Sequence, residues 1–340
     1  MSAPATAIAA SGEAAPCAGA AIAVVSVATP SHLHRARSLF ASIARHLPAA
    51  DRHLALVARG TRACGTGEPF VATPLAGFGL PDFEAFVRRY RASELCFAAK
   101  PWAIAEMFRR GYDRVLYFDT DIVAYSTLAP VIGALDRAAI LLTPHRIEAR
   151  ERDTRSELVV LQAGVYNAGF IALRRSDAAT AFLSWWQRKL EHDCVVDIAR
   201  GLCGDQRFVD LVPAQFDDVA IVREPGWNVG AWNLDERTLA LAADGYTANG
   251  RPLVFFHFSG HERAPPATPA QCTLASDYAS ELERCGQAQC ATLPYDFAQP
   301  RDGPGLRALR FAGGHARRWL HRVTTTSLRR RVRLRLRPRA

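Results

Sequence analysis

Residues 21 to 29, AIAVVSVAT, are almost unbrokenly apolar, whereas the stretch after them, PSHLHRARSLFASIARHL, alternates polar and apolar positions. In that second stretch Leu33, Ala36, Leu39, Phe40, Ile43 and Leu47 recur at three- and four-residue spacing. The first pattern predicts a strand buried on both faces, the second an amphipathic helix. A strand, a short turn and a helix open an α/β unit. HLALVA (53–58) predicts a second strand, and residues 60–81, rich in Gly, Thr and Pro, a loop. Phe83, Phe86, Val87 and Tyr90 mark one face of a helix. A further helix is expected to start at Pro101, since proline suits a first turn, and to stop near Gly111. RVLYF (114–118) is apolar on both sides, as a central parallel strand is, and AAILLTP (138–144) predicts another. GFIALR (169–174) leads into a helix with Ala179, Phe182, Leu183, Trp186 and Leu190 on its face and Ser176 as its cap. LVFFHFSG (253–260) is expected to close the sheet.

Strands alternating with helices predict an α/β fold, a mostly parallel central sheet flanked by helices. The expected organisation is a disordered N-terminus over 1–20, one domain over 21–265, an irregular extension over 266–300 and a basic tail over 301–340. No internal repeat is visible.

Composition sharpens this in three places. The chain has 340 residues, 49% hydrophobic and 22% charged, which is ordinary for a globular protein. Its net charge of +9 sits in the tail, where thirteen arginines face one acid, Asp302. The body is near neutral, so the basic balance is no argument that it binds nucleic acid. Of 42 basic residues only Lys100 and Lys189 are lysine, which makes a retained lysine a weak pointer to a site where arginine does not fit. The eight cysteines form no C-x-x-C pair, against a zinc ribbon or a redox motif. Cys96 and Cys203 read as reduced core thiols, and Cys272, Cys285 and Cys290 as candidates for a loop disulfide. The usage points to a reducing compartment. The first twenty residues lack the basic start and apolar core of a signal peptide, and no apolar run reaches the about 20 residues that span a bilayer. The expectation is a cytoplasmic protein, soluble or held at a membrane surface.

RVLYFDTDIVAYSTL (114–128) runs a buried strand into two acids. In open α/β sheets ligands sit beyond the carboxyl ends of the strands. Residues two apart in extended chain face the same way, so Asp119 and Asp121 are able to face one point. Two such carboxylates repel unless a cation joins them. Hard oxygen donors favour Mn²⁺ or Mg²⁺, and such an ion commonly completes its shell with phosphate oxygens of a nucleotide diphosphate. The bland alternative is that Asp119 caps a turn and Asp121 is solvated.

RVLYFDTDIVAYSTL, GVYNAGFIAL, GDQRFVDLVP and FFHFSG stand in the order found in nucleotide-sugar glycosyltransferases. Over about residues 20–262 the chain resembles bacterial enzymes like those of glycosyltransferase family 8, with the GT-A fold. ELCFAAKPW, PGWNVGAWNL and HFSG look like a branch acting in surface-polysaccharide synthesis. The resemblance implies that Asp119 and Asp121 bind metal and donor and that His257 is the third metal ligand. It places Asn167 and Gly169 near the donor sugar and makes Asp205 and Gln206 the catalytic pair beside it. An amide offers donor and acceptor to sugar hydroxyls, and a glycine lets backbone come close. Lys100 is a candidate contact to the donor phosphates, and Ser259 and Gly260 offer backbone N–H groups to the same anion. Each has a plainer alternative: a core histidine at 257, a turn at 169 and at 259–260, a helix cap at 205. Trp227, Asn228, Trp232 and Asn233 belong either to the acceptor side or to the core. Thr120 replaces the proline commoner between the two acids. Leu75 to Leu80 and everything after Arg263 carry none of the motifs of this resemblance.

The implied partners are a nucleotide-diphosphate sugar and a saccharide or lipid-linked acceptor, with retention of configuration. The tail suits an anionic membrane surface, or is simply solvated; nucleic acid ranks third. Two rival readings are a sugar nucleotidyltransferase, which VATPSHLHRAR fits poorly for want of glycines, and a non-catalytic membrane- or RNA-binding protein on a degenerate scaffold.

Overall fold

The computed structural model describes residues 21–149, 154–261 and 266–298. The expectations for 1–20 and for the basic tail at 301–340 therefore lie outside the described residues.

β1 (Ile22–Ala28) sends alternate side chains to opposite sides of the sheet. Ala23, Val25 and Val27 enter one core, Val24 and Ala28 the other, which is why the strand reads as continuously apolar. Its one polar residue, Ser26, is buried and donates to the Phe118 carbonyl at 2.6 Å. After a 3₁₀ turn, α1 (Leu33–His46) buries Leu33, Ala36, Leu39, Phe40 and Ile43, the expected face. β2 (Asp51–Leu56) follows in parallel with β1.

The Gly- and Pro-rich stretch differs from expectation. It contains β3 (Val71–Pro74), a half-exposed edge strand parallel to β2. α2 (Phe83–Arg89) comes next, then α3 (Ala92–Arg109). The helix expected from Pro101 thus starts nine residues earlier, with the Glu94 carboxylate accepting from the Arg91 N–H at 3.0 Å as its cap. Pro101 lies in the helix interior, a position that forfeits one backbone hydrogen bond. Burial of Leu95, Ala98, Ala99, Trp102, Ala103, Ile104 and Met107 outweighs that local penalty.

β4 (Arg114–Phe118) repeats the logic of β1: Val115 and Tyr117 face one core, Leu116 and Phe118 the other. β5 (Ile122–Ala124) and α4 (Ala129–Leu135) precede β6 (Ile140–Pro144). α5 (Thr154–Ala163) has no buried residue. β7 (Tyr166–Arg174) is the longest strand described, and α6 (Asp177–Leu190) buries the predicted face and packs against α3. The Ser176 hydroxyl caps α6 by accepting from Ala179 N–H at 3.1 Å. A small ribbon of β8 (Val196–Asp197) and β9 (Leu202–Cys203) leads to the short α7 (Gln206–Val209) and α8 (Val212–Gln215) and to β10 (Val219–Ile221).

The main sheet has seven strands in the order β10-β6-β7-β4-β1-β2-β3. Only β7 runs antiparallel to its neighbours. The protein is therefore an α/β fold with a large, mostly parallel sheet flanked by helices. β11 (Val229–Gly230), β12 (Leu239–Ala242), β13 (Gly245–Ala248), β14 (Arg251–Pro252) and β15 (Phe255–His257) lie outside it. The expectation that LVFFHFSG closes the main sheet is corrected here. β15 instead sits between β11 and β5 in a separate three-stranded sheet.

The stretch expected to be irregular carries α9 (Pro269–Arg284) and α10 (Gln287–Ala291), both packed against α1. Cys272, Cys285 and Cys290 form no disulfide. Among the described residues no helix is long and apolar enough to cross a membrane.

Candidate active site

Two acids are pinned where β4 leaves the sheet. The Asp119 N–H donates to the Gly169 carbonyl on β7 at 2.7 Å. On the other side the Phe258 N–H donates to the Asp121 carbonyl at 2.8 Å. β5 and β15 pair antiparallel with His257 opposite Ile122, which brings the imidazole next to Asp121. The result is a cluster of Asp119, Asp121 and His257 whose ligating atoms lie within 4.8 Å of one another. His257 Nε2 is 3.0 Å from Asp121 Oδ1, and His257 is almost fully buried. Gly169, on the neighbouring strand, leaves room for the ring: a Cβ there would overlap His257 Cε1. Trp232 packs edge-on against the same ring, with centroids 5.0 Å apart.

Lys100 reaches the cluster from inside α3. Its side chain is only 2% exposed. Nζ lies 3.0 Å from Asp119 Oδ1, 2.8 Å from Asp205 Oδ2 and 3.0 Å from the Ala168 carbonyl, three acceptors for three N–H groups. The rings of Phe97 and Tyr117 flank it, each 5.0 Å away. A guanidinium is larger and planar and has no equivalent fit. The lysine therefore spends all its donors on protein groups. Tyr117 OH adds a second hydrogen bond to Asp119 Oδ1, at 2.8 Å.

Asp205 precedes α7 but makes no side-chain cap bond there. Its carboxylate turns to Lys100 instead. Gln206 uses both ends of its amide on backbone: Oε1 accepts from Ala168 N–H at 3.2 Å and Nε2 donates to the Ala163 carbonyl at 2.8 Å. It ties the end of α5 to β7 beside the acids. Asn167 is buried, and its Oδ1 accepts from Gly169 N–H at 3.0 Å and from Asn228 Nδ2 at 3.1 Å. Its Nδ2 stands 3.1 Å from His145 Nε2. Ser259 and Gly260 form the turn after β15, with Gly260 at φ +72°, a conformation that favours glycine. Trp227 belongs to the core, against Phe170 and Phe255.

The charges are strongly perturbed. Burial pushes the Asp121 carboxyl up, but His257 and Arg35 more than offset this, and its pKa falls to about 2. Burial works against the Lys100 ammonium, yet Asp119 and Asp205 hold its pKa above the usual lysine range. Burial raises the Asp205 pKa despite Lys100, and Asp119 adds to the rise. Burial and Asp119 keep the Tyr117 phenol neutral. At neutral pH the site thus presents an ionised Asp121, a charged Lys100 and a neutral phenol that donates to Asp119. Two carboxylates and one imidazole are a donor set suited to Mn²⁺ or Mg²⁺.

The structure brings together Asp119, Asp121, His257, Lys100, Asp205, Asn167, Gly169 and Gln206, and places Ser259 and Gly260 two and three residues beyond His257 in the chain. Sequence reasoning missed Tyr117, His145 and Arg35. Tyr117 was within reach of it, because it lies two residues before Asp119 on the same face of a strand. Arg35 had no signal, being one arginine among many.

No protein-family model matches the chain. Two curated relatives come from Bacillus subtilis (strain 168), both described as uncharacterized. YfnF is 31% identical over 175 residues, which is 50% of this chain and 57% of the relative. YfnD is 28% identical over 172 residues, 49% of this chain and 53% of the relative. The chain spans little more than half the length of the curated relatives it matches. Similar solved structures are glycosyltransferases. The galactosyltransferase LgtC, in complex with donor and acceptor sugar analogs, is 15% identical with a TM-score of 0.43, over 80% of this chain and 97% of that one. Mouse xyloside xylosyltransferase 1 in its apo form is 12% identical with a TM-score of 0.44, over 73% of this chain and 99% of that one. The apo bifunctional glycosyltransferase WbbM is 16% identical with a TM-score of 0.41, over 65% of this chain and 41% of that one. With TM-scores below 0.5, these likenesses carry no weight beside the geometry of the site.

Proposed function

We propose that the protein is a divalent-metal-dependent glycosyltransferase with a GT-A-like domain. It moves a hexose from a nucleotide diphosphate donor, UDP-linked in this reading, to a hydroxyl of a saccharide or lipid-linked saccharide, with retention, in surface-polysaccharide synthesis. The observation that supports this best is the convergence of Asp119, Asp121 and His257 at the carboxyl end of a central strand. These three residues would hold Mn²⁺ or Mg²⁺. When bound, such an ion neutralises charge that grows on the leaving diphosphate.

The chain's own residues do the rest. Lys100 fixes the carboxylates of Asp119 and Asp205 in one geometry, so neither has to reorganise during the reaction. Asp205 presents buried negative charge beside the donor sugar, where positive charge develops at the anomeric carbon. Gln206 and Asn167 shape the sugar pocket as braces, since their amides are already engaged. The backbone N–H groups at Ser259 and Gly260 would be offered to the diphosphate. The arginines of residues 301–340 favour an anionic membrane surface carrying the acceptor.

The test is donor hydrolysis across a panel of nucleotide sugars. Slow release of free sugar and nucleoside diphosphate with Mn²⁺, lost in EDTA, is expected. Pyrophosphate-dependent exchange would point to a nucleotidyltransferase instead. Unchanged turnover in a D119N/D121N double variant would overturn the reading.

A further inference from the structure

We propose that Tyr117 decides which divalent ion this site accepts, because it leaves Asp119 only one oxygen to offer. The inference rests on the metal-dependent reading above and adds a positioning residue to it. An ionised carboxylate has about four lone-pair sites, two on each oxygen. Asp119 Oδ1 accepts from Tyr117 OH at 2.8 Å and lies 3.0 Å from Lys100 Nζ. Protein donors therefore fill both sites of that oxygen. Oδ2 accepts from no described residue and is the oxygen left for an ion.

Neither donor is free to turn away. Tyr117 lies in β4 between Val25 of β1 and Ile171 of β7, and it is 1% exposed. It stands two residues before Asp119, on the same side of the chain. Its ring and that of Phe97 flank the Lys100 ammonium. Lys100 is held in turn by Asp205 and the Ala168 carbonyl. Asp119 itself is tied to β7 through its N–H. The carboxylate and its two donors thus form one fixed unit.

Ions differ in what they ask of a carboxylate. Mg²⁺ and Mn²⁺ are satisfied by about six ligands and take one oxygen from a carboxylate, whereas Ca²⁺ takes roughly six to eight oxygens and commonly both of a carboxylate. An Asp119 with one oxygen to offer suits the first pair and falls short for Ca²⁺. The His257 nitrogen disfavours Ca²⁺ as well, but it is the same whatever stands at position 117. Without the phenol oxygen, Lys100 still holds one site of Oδ1 and the other is released. Asp119 is then able to bind an ion through both oxygens. Tyr117 therefore lowers affinity for Ca²⁺ and leaves that for Mn²⁺ nearly untouched.

Titration calorimetry on the full chain measures this selectivity. Wild type and Y117F, which keeps the ring against Lys100, are each titrated with Mn²⁺ and with Ca²⁺. Each titration is run alone and with UDP, GDP, CDP, ADP or dTDP, carrying forward the diphosphate that tightens Mn²⁺ binding most. Free diphosphate chelates a given ion alike in both proteins, so it drops out of the comparison. Wild type is expected to prefer Mn²⁺ by about tenfold or more, and Y117F to lower that preference by about fivefold through tighter Ca²⁺ binding. Mn²⁺ affinity should stay within about twofold. A general loosening of the site would weaken both ions and give no gain in Ca²⁺. An unchanged preference in folded Y117F, or a change that comes from weaker Mn²⁺, refutes the role of Tyr117. So does wild type that takes Ca²⁺ as readily as Mn²⁺. If Y117F does not fold, infrared difference spectra of wild type carrying isotope-labelled aspartate decide. Mn²⁺ should give an aspartate the wide carboxylate splitting of one-oxygen binding; the narrow splitting of two-oxygen binding alone refutes the role. Wild type that binds Mn²⁺ neither alone nor with any of the diphosphates refutes the metal-dependent reading itself.

Discussion

The imidazole of His257 fills the space that a side chain on residue 169 would need. A Cβ on Gly169 would overlap His257 Cε1 and fall 2.8 Å from Asn167 Oδ1. The glycine is required there by close approach of a neighbour. G169A should push the ring away from Asp121 and cost about 1–3 kcal/mol of stability, the usual toll for overpacking a core position. Affinity for Mn²⁺ in the presence of UDP should fall by about tenfold or more if, as proposed, His257 is one of three ligands. Titration calorimetry and a urea melt measure the two effects. Wild-type affinity in G169A would mean that His257 is not a ligand.

Lys100 is the cation that lets two carboxylates share a buried site. K100M leaves Asp119 and Asp205 facing each other without it, and stability should drop by about 3 kcal/mol or more. K100R should fare little better, because the ammonium's three-acceptor pocket does not match a planar fork. The K100M/D205N double variant removes one of the stranded charges and should recover part of the loss. Urea unfolding of all three tests this. No recovery in the double variant would mean that the penalty of K100M comes from packing and not from charge.

How much of this was legible depends on which interactions are local. β1 and β4 read correctly because both faces are buried, so their apolar runs needed no knowledge of partners. The D-x-D pair was legible for the same reason, lying at the end of an apolar run, whereas His257 stood out only through the resemblance of FFHFSG to nucleotide-sugar glycosyltransferases. α3 did not read correctly. Pro101 is a strong local start signal, and it was overruled by packing that the sequence does not display. β3 was hidden because a half-exposed edge strand takes its geometry from pairing with β2 rather than from its own apolar content. β15 was assigned to the wrong sheet because its partners, β5 and β11, are short and remote in sequence. Arg35 was invisible since only the fold brings α1 to the acids.

Asn228 holds a strained backbone to deliver its amide. It sits at φ +49°, in the left-handed region, and its Nδ2 donates to Thr143 Oγ1 at 2.8 Å and to Asn167 Oδ1 at 3.1 Å. Two substitutions separate backbone from side chain. N228G accepts the backbone but loses the bonds, and should cost about 1–2 kcal/mol. N228A loses the bonds and must also hold a left-handed conformation, which adds about 1 kcal/mol. Chemical denaturation should rank wild type above N228G and N228G above N228A. Equal stability of the two variants would show that the left-handed backbone relaxes.

Stability should fall as the solution is acidified from neutral, well before the carboxylates titrate. Burial holds the pKa of His53 at about 4, with Arg110 adding to the depression. His34 and His145 are held at about 4 as well, each chiefly by burial. At His53 the geometry shows why. Tyr112 OH donates to Asp51 Oδ2 at 2.8 Å, so its oxygen accepts from His53 Nε2–H at 2.9 Å. A second proton would sit on Nδ1, which is buried without a partner among the described residues. Between about pH 6.5 and pH 4 the unfolded chain takes up protons that these three folded rings refuse, so stability is complete above that window and is lost as pH falls through it. Asp121, held at about 2, contributes its own loss only below the ordinary carboxylate range, outside the same window. The melting temperature, measured without added metal, should therefore drop by about 5 °C or more from pH 7.5 to pH 5. H53Q keeps a donor for Tyr112 but cannot be protonated, and should flatten the slope by up to about a third, since burial depresses His32 and His46 as well. A slope unaltered in H53Q would show that His53 accepts its second proton without loss, and that the acid sensitivity arises elsewhere.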